Sequence, residues 1–210
     1  MAADRSKMLL LPEYRYQKDW KEEERVLLTI LENRPRLKGE TPALQRIDRY
    51  FDALARRWRT RWEGRVLTEA RNSAQASPWV CCLDCHLTLL NEDYFSLWWE
   101  AREDCGGARP RRIREGEVWQ LADGVPLTLA QLMPGKRWRQ AVLKQVSDQI
   151  QAQLDAGVSL YYEDWPRLCR KHLSPHRCYL TETGPMVFFP FCSIGPALED
   201  FPTFSLSTEA

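Results

Sequence analysis

The sequence predicts an α+β fold, in which two long amphipathic helices pack on antiparallel-rich sheets. Two segments of the 210-residue chain, 42–62 and 136–156, carry apolar residues at the three- and four-residue spacing of a helix face. Shorter segments of strand-like composition, separated by turn residues, occupy much of the rest. The turn Asn91-Glu92-Asp93 joins two of these segments and predicts an antiparallel hairpin.

The N-terminal part, residues 1–77, is predicted to form a strand–strand–helix lobe. Residues 13–20 alternate tyrosines with polar neighbours, which predicts a first strand. A second, more apolar strand is predicted at 25–31 and is expected to end at Asn33-Arg34-Pro35. Thr41 followed by Pro42 fits an N-cap and a first helical position. The helix can extend past Gly64 toward Ala76. Its apolar stripe consists of Leu44, Ile47, Phe51, Leu54, Trp58 and Trp62.

The C-terminal part, residues 78–210, is predicted to be a sheet-and-helix lobe that shares one core with the first. Strands are expected at 79–90, 94–104, 111–121 and 201–206, with a further hairpin formed by 177–181 and 186–191. Thr128 is a candidate cap for a helical turn at 127–133, and Gly157 for the end of the second long helix. A short helix at 161–173 is expected to be interrupted at Pro166.

Composition narrows the function classes. The chain has 30 basic and 29 acidic residues, and this balance argues against a dedicated nucleic-acid binder. No segment approaches the roughly 18 apolar residues of a membrane span, so membrane insertion is not expected. The early apolar run Met8–Leu11 is too short for the core of a secretion signal. As it stands the sequence predicts a cytoplasmic protein, and an extracytoplasmic one if a leader has been removed.

The cysteines raise the question of a metal site. Cys81, Cys82, Cys85 and His86 form one group of potential zinc ligands, and Cys169, His172, His176 and Cys178 form another. In a strand, however, Cys82 and Cys85 point to opposite faces. We therefore predict no metal, no other cofactor and, with seven cysteines and no leader, reduced thiols. Neither a nucleophile elbow nor a phosphate loop is present, so no catalytic residue is identified.

A loop with two glycines and a tryptophan pair are the candidate contact residues. Gly106 and Gly107 permit a sharp exit from a strand and a close approach of backbone to a ligand, and Arg109 offers planar donors to a carboxylate. Trp98 and Trp99 adjoin on one strand, so one faces the core and the other faces outward or into another layer. An outward tryptophan can anchor a partner. A purely structural loop is the alternative interpretation of the glycines.

Several segments, in their order along the chain, resemble a bacterial domain family of unknown function. They are the Gly106-Gly107 loop, the Asp123-Gly124 turn, Leu127–Met133, the hairpin Cys178–Phe189 and the ending Phe201-Pro202-x-Phe204. Family members include the extracellular part of the RsiV anti-sigma factor and a domain that precedes the catalytic module of the PdaC peptidoglycan deacetylase. Arg109 stands where the family has a histidine.

The resemblance implies a non-catalytic binding or sensing module. The partners that it implies are lysozyme-like proteins or cell-wall fragments. A second interpretation, from a different class, is a metal-dependent or accessory enzyme that acts on cell-wall polysaccharide.

Overall fold

The computed structural model describes residues 10–74, 77–133 and 135–208. Six strands form a large sheet in chain order: β1 (Leu10–Glu22), β2 (Arg25–Leu37), β3 (Trp79–Leu90), β4 (Tyr94–Asp104), β5 (Arg111–Gln120) and β6 (Val125–Pro126). A small sheet contains β7 (Cys178–Thr181), β8 (Gly184–Phe188) and β9 (Thr203–Ser205). All neighbouring strands are antiparallel except β2 and β3, which are parallel. The predicted α+β fold with antiparallel-rich sheets is confirmed.

The helices lie between and after the strands. They are α1 (Pro42–Arg61), α2 (Leu67–Arg71), α3 (Leu129–Leu132), α4 (Trp138–Asp155) and α5 (Trp165–His172). A π-helical segment, Trp62–Val66, joins α1 to α2 without a break. The helix therefore continues past Gly64 as predicted and ends at Arg71, whereas Ala76 lies outside the described residues.

The start of α1 follows from its cap. The hydroxyl of Thr41 accepts a hydrogen bond from the backbone N–H of Leu44 at 3.3 Å, and Pro42 occupies the first turn. This satisfies one of the N–H groups that a helix start leaves without a partner. The predicted apolar stripe of α1 is buried against the large sheet, where it meets side chains of β2, β3 and β4.

The predictions that concern Pro35 and Pro166 are wrong. Strand β2 continues through Pro35 to Leu37, because its pairing with β3 ends earlier, at Asn33, and Pro35 lies opposite an irregularity in β1. A proline is tolerated where the ladder needs no N–H from it. Pro166 lies in the first turn of α5 and does not interrupt that helix.

The small sheet covers the other face of the large sheet. The backbone N–H of Leu180 in β7 donates to the Ser96 hydroxyl of β4 at 2.7 Å. Beside it, a Cβ added to Gly116 would lie 2.0 Å from the carbonyl oxygen of Cys178, so only glycine permits this close approach. A second apolar core, which includes Val146, Val187 and Phe204, lies around the small sheet and α4.

The large sheet combines strands from both predicted lobes. Strands β1 and β2 come from residues 1–77, and β3 to β6 come from residues 78–210. One apolar core contains side chains from both segments. The division into lobes at residue 77 itself stays a prediction.

Candidate functional site

A cleft of about 730 Å³ lies between the C-terminal half of α1 and strand β5. Residues just before α3 and His176, in the segment after α5, also line it. Its volume is in the range of pockets that hold small ligands. The aromatic lining residues are Tyr50, Trp58, Trp99 and Trp119, and the ionisable ones include Arg57, Arg61, Glu115, Glu117 and His176.

The period of a strand explains why these side chains meet. In β5, Glu115, Glu117 and Trp119 are alternate residues and therefore face the same side, toward α1. Trp99 lies directly opposite Glu115 in the register of β4 and β5, so it shares that side. The two glutamates are two residues apart, which corresponds to about 7 Å between their Cα atoms.

Glu117 is the central polar group of the cleft. Its carboxylate accepts a short hydrogen bond from the Tyr50 hydroxyl and a longer one, 3.4 Å, from the indole N–H of Trp99. Among the described residues, no lysine or arginine forms an ion pair with it. Burial raises the pKa of Glu117, the negative charge of Glu115 adds to this, and the hydrogen bonds only partly oppose it.

Glu115 and Tyr50 share this electrostatic environment. Burial also raises the pKa of Glu115, although the charge of Arg177, whose Nε lies 3.9 Å from the carboxylate, acts in the opposite direction. Burial and the negative charge of Glu117 raise the pKa of Tyr50. The phenol therefore keeps its proton and donates a hydrogen bond to Glu117. The cleft thus presents two carboxyl groups on one wall, among aromatic side chains.

The structure separates the contact residues predicted from the sequence. Gly106, Gly107 and Arg109 are exposed in the loop between β4 and β5, and Gly106 has the positive φ, 71°, that favours glycine. Trp99 is buried and lines the cleft. Trp98 lies on the opposite face, as adjacent strand residues must, six residues before the end of β4 and thus about 20 Å from the loop.

Trp98 is half-buried and already engaged by its neighbours. Its ring stacks on the imidazole of His86 with 3.8 Å between centroids, and the guanidinium of Arg114 lies 4.2 Å from its ring centroid. It is therefore held by neighbouring side chains and is not a freely projecting anchor. A contact role for the glycine loop stays a prediction.

Sequence reasoning missed Tyr50, Glu115 and Glu117. The signal for the glutamates was their alternation with Trp119 in a strand, which places carboxyl groups and an aromatic residue on one face. Tyr50 gave no such signal, because it lies beside the apolar stripe of α1. Its relation to Glu117 depends on how the helix packs on the sheet.

The three cysteines of β3 lie on both faces of that strand. Cys81 and Cys85 are buried on the side of α1, where burial raises the pKa of both thiols, and Cys82 is half-buried on the other side. All seven cysteines are free thiols. Within the described ranges, no three His, Cys, Asp or Glu side chains are grouped to share a metal ion. No helix there is long and apolar enough to cross a membrane.

Comparison with known proteins identifies the fold. No family model and no curated protein sequence matches the chain. A solved structure of a DUF3298 family member from Bacteroides fragilis NCTC 9343 matches with a TM-score of 0.58 and 14% identity, over 94% of this chain and 90% of that one. A DUF3298 family protein from Pseudomonas aeruginosa PAO1 matches with a TM-score of 0.58 and 15% identity, over 93% and 89%. The chain shares the fold of these bacterial proteins, whose domain has no known function.

Proposed function

We propose that this chain is a non-catalytic binding module whose cleft between α1 and β5 takes a sugar fragment of the cell wall. The sugar class follows from the kinds of group that line the cleft. Sugar rings combine apolar C–H faces with hydroxyl donors, and the cleft combines aromatic side chains with carboxylate acceptors. The resemblance to the RsiV- and PdaC-type domains points to the same class of ligand.

The observation that carries the proposal is the state of Glu117. This carboxylate accepts hydrogen bonds from Tyr50 and Trp99, which hold it in place, yet it has no cationic partner among the described residues. A carboxylate oriented in this way toward a cleft is a ready acceptor for a ligand donor.

Binding without turnover is supported by the placement of the two glutamates. Hydrolysis of a glycosidic bond uses two carboxyl groups that flank the bond from opposite sides. Glu115 and Glu117 extend from the same face of one strand, so both would approach a ligand from one side.

A titration tests the proposal. Trimers of N-acetylglucosamine and muropeptides are added to the protein while tryptophan fluorescence is followed, since Trp58, Trp99 and Trp119 line the cleft. Saturable binding is expected, and Tyr50→Phe should weaken it because Glu117 loses its hydroxyl donor. Arg109→Ala is the matched comparison for the glycine loop. Loss of binding in Arg109→Ala, with Tyr50→Phe unaffected, would move the site to that loop.

Lysozyme is titrated in the same way, because a protein partner is the other ligand that the resemblance implies. A protein would bind over a surface that extends well beyond the cleft. Binding of lysozyme together with no response to any sugar fragment would overturn the cleft as the ligand site.

The second candidate function is an enzyme that acts on cell-wall polysaccharide. What favours it is that burial raises the pKa of both Glu115 and Glu117, since a raised pKa is the direction that suits a carboxyl group to general-acid catalysis. Release of reducing ends from peptidoglycan is measured with pure protein, with and without added divalent metal ions. Turnover that Glu117→Gln abolishes would replace the binding proposal.

A further inference from the structure

The buried glutamates of this protein differ from Glu117 in whether an arginine forms an ion pair with them. Three glutamates are buried in the described part of the chain, and each has one. Glu32 pairs with Arg34 at 3.0 Å and Glu103 with Arg61 at 2.5 Å. Glu100 pairs with Arg112 at 2.6 Å.

Glu117 departs from this pattern although it lies in the same sheet. The side chains that donate hydrogen bonds to it, Tyr50 and Trp99, are neutral. Glu115, on the same wall, has Arg177 only at 3.9 Å. Among the described residues, each glutamate that is buried in the core thus has a paired guanidinium, whereas Glu117 in the cleft has none.

Cationic side chains line the cleft, but among the described residues none of them forms an ion pair with Glu117. Arg61, on the wall formed by α1, is already engaged by Glu103 through both of its carboxylate oxygens. The remaining ionisable residues that line the cleft are Arg57 and Tyr50 from α1, Glu115 from β5 and His176 from the segment after α5.

We infer that the cleft selects a cationic ligand, an amino sugar with a free ammonium group, which supplies the missing counter-charge of Glu117. An ammonium group between the two glutamates would replace the arginine that the buried glutamates have. Aromatic side chains such as Tyr50 add a favourable surface for a cation. This inference rests on the proposed function, which places a sugar in the cleft.

The decisive experiment compares two trimers that differ only in charge. Glucosamine trimer carries ammonium groups, and N-acetylglucosamine trimer is neutral. Dissociation constants for both are measured by calorimetry near pH 7 and at low ionic strength, where charge effects are not screened. The glucosamine trimer is expected to bind at least roughly tenfold tighter, as a charge-assisted hydrogen bond implies.

Variants assign the preference to the cleft. Glu117→Gln should bring the ratio of the two affinities close to one, and Glu115→Gln should reduce it. Glu69→Gln removes the same charge from an exposed position on α2, where the glutamate pairs with Arg65, and should leave the ratio as in the wild type. Lowering the pH should also shrink the ratio, because burial raises the pKa of Glu117 and its protonated form does not attract a cation.

The possible failures are distinguishable. Equal affinity for the two trimers would overturn this inference and leave the proposed function standing. No binding of either trimer would overturn both. A tri-lysine peptide that binds as tightly as glucosamine trimer would show that the cleft recognises ammonium groups without recognising the sugar, and would overturn the amino-sugar assignment.

Discussion

The two faces of strand β5 carry charged residues in opposite states. On the face toward the small sheet, Arg112 and Arg114 both bind Glu100 of β4 and Asp200, which belongs to the segment before β9. On the face toward α1, Glu117 binds only neutral donors. The first face is electrostatically complete and joins two layers of the fold. On the second face Glu117 has no charged partner among the described residues, and there we place the ligand.

The complete face is also closely packed. The ring of Phe201 lies against both guanidinium groups, 5.0 Å from that of Arg112 and 4.1 Å from that of Arg114. The segment from Asp200 is thereby held on the large sheet. A charged network of this kind acts as a structural contact, because its two guanidinium groups and two carboxylates bind one another.

The largest expected effect is on the complete face. Glu100→Ala leaves two largely buried guanidinium groups with Asp200 as their remaining carboxylate, so we expect a loss of roughly 3–5 kcal/mol in the free energy of unfolding. Urea denaturation followed by circular dichroism measures it. A loss below about 1 kcal/mol would show that this network contributes no more than an exposed ion pair.

A substitution at the contact between the two sheets should lower the free energy of unfolding by nearly as much. Gly116→Ala places a methyl group against the carbonyl of Cys178, and neither backbone can move aside without breaking its sheet, so we expect a loss of about 3 kcal/mol. Gly64→Ala is the matched control. It meets no atom within 4 Å in the helical segment after α1 and should stabilise the protein by roughly 0.5–1 kcal/mol. Equal stability of the two variants would contradict the close approach.

Glu103 tests a paired carboxylate on the side of α1. Burial by itself would raise its pKa, but hydrogen bonds from Arg61 and Trp62 outweigh burial and hold the pKa below its usual range. Its contribution is therefore present above about pH 4.3, the pKa of an unfolded glutamate, and is lost as pH falls through the folded pKa. We expect Glu103→Gln to cost roughly 1.5–3 kcal/mol at pH 7. Denaturation curves between pH 7 and 3 should show this difference shrinking.

Substitution of Glu117 should change the free energy of unfolding in the opposite direction, and by a small amount. Its pKa is raised in the folded state, so its burial destabilises the protein progressively as pH rises from about 4.3 through the folded pKa. Glu117→Gln should therefore stabilise the free protein by roughly 1 kcal/mol at neutral pH and change little at pH 4. The same denaturation series measures it. Destabilisation at neutral pH would mean that the carboxylate is satisfied within the fold, and the contrast between the two faces of β5 would disappear.

Much of the fold could be predicted because its signals are local. The cap formed by Thr41 and Pro42, the apolar stripe of α1 and the hairpin around residues 91–93 depend on neighbours within a few positions. The prediction that β2 ends at Asn33-Arg34-Pro35 was wrong, because it depends on residues that are distant in the sequence. Whether a proline is tolerated depends on where the pairing with another strand ends, and β3 lies far along the chain.

The candidate site could not be predicted in the same way. The glycine loop and the tryptophan pair were visible as unusual residues, whereas Glu115 and Glu117 resemble any charged pair on a strand. Their role in the cleft depends on Tyr50, which lies 67 positions from Glu117 in the chain. It also depends on the fact that no arginine among the described residues pairs with Glu117.

Local patterns along the chain therefore set the helices and strands and their apolar faces, because hydrophobic period, capping and turn chemistry act over a few residues. Which charged side chains meet depends on the tertiary structure. The register of β4 against β5 and the packing of α1 on the sheet gave an arginine to Glu100 and to Glu103 and neutral donors to Glu117. The electrostatic energy of an ionised group depends mainly on the charges and hydrogen-bond donors within a few ångströms of it. In a folded chain those neighbours come from distant positions in the sequence.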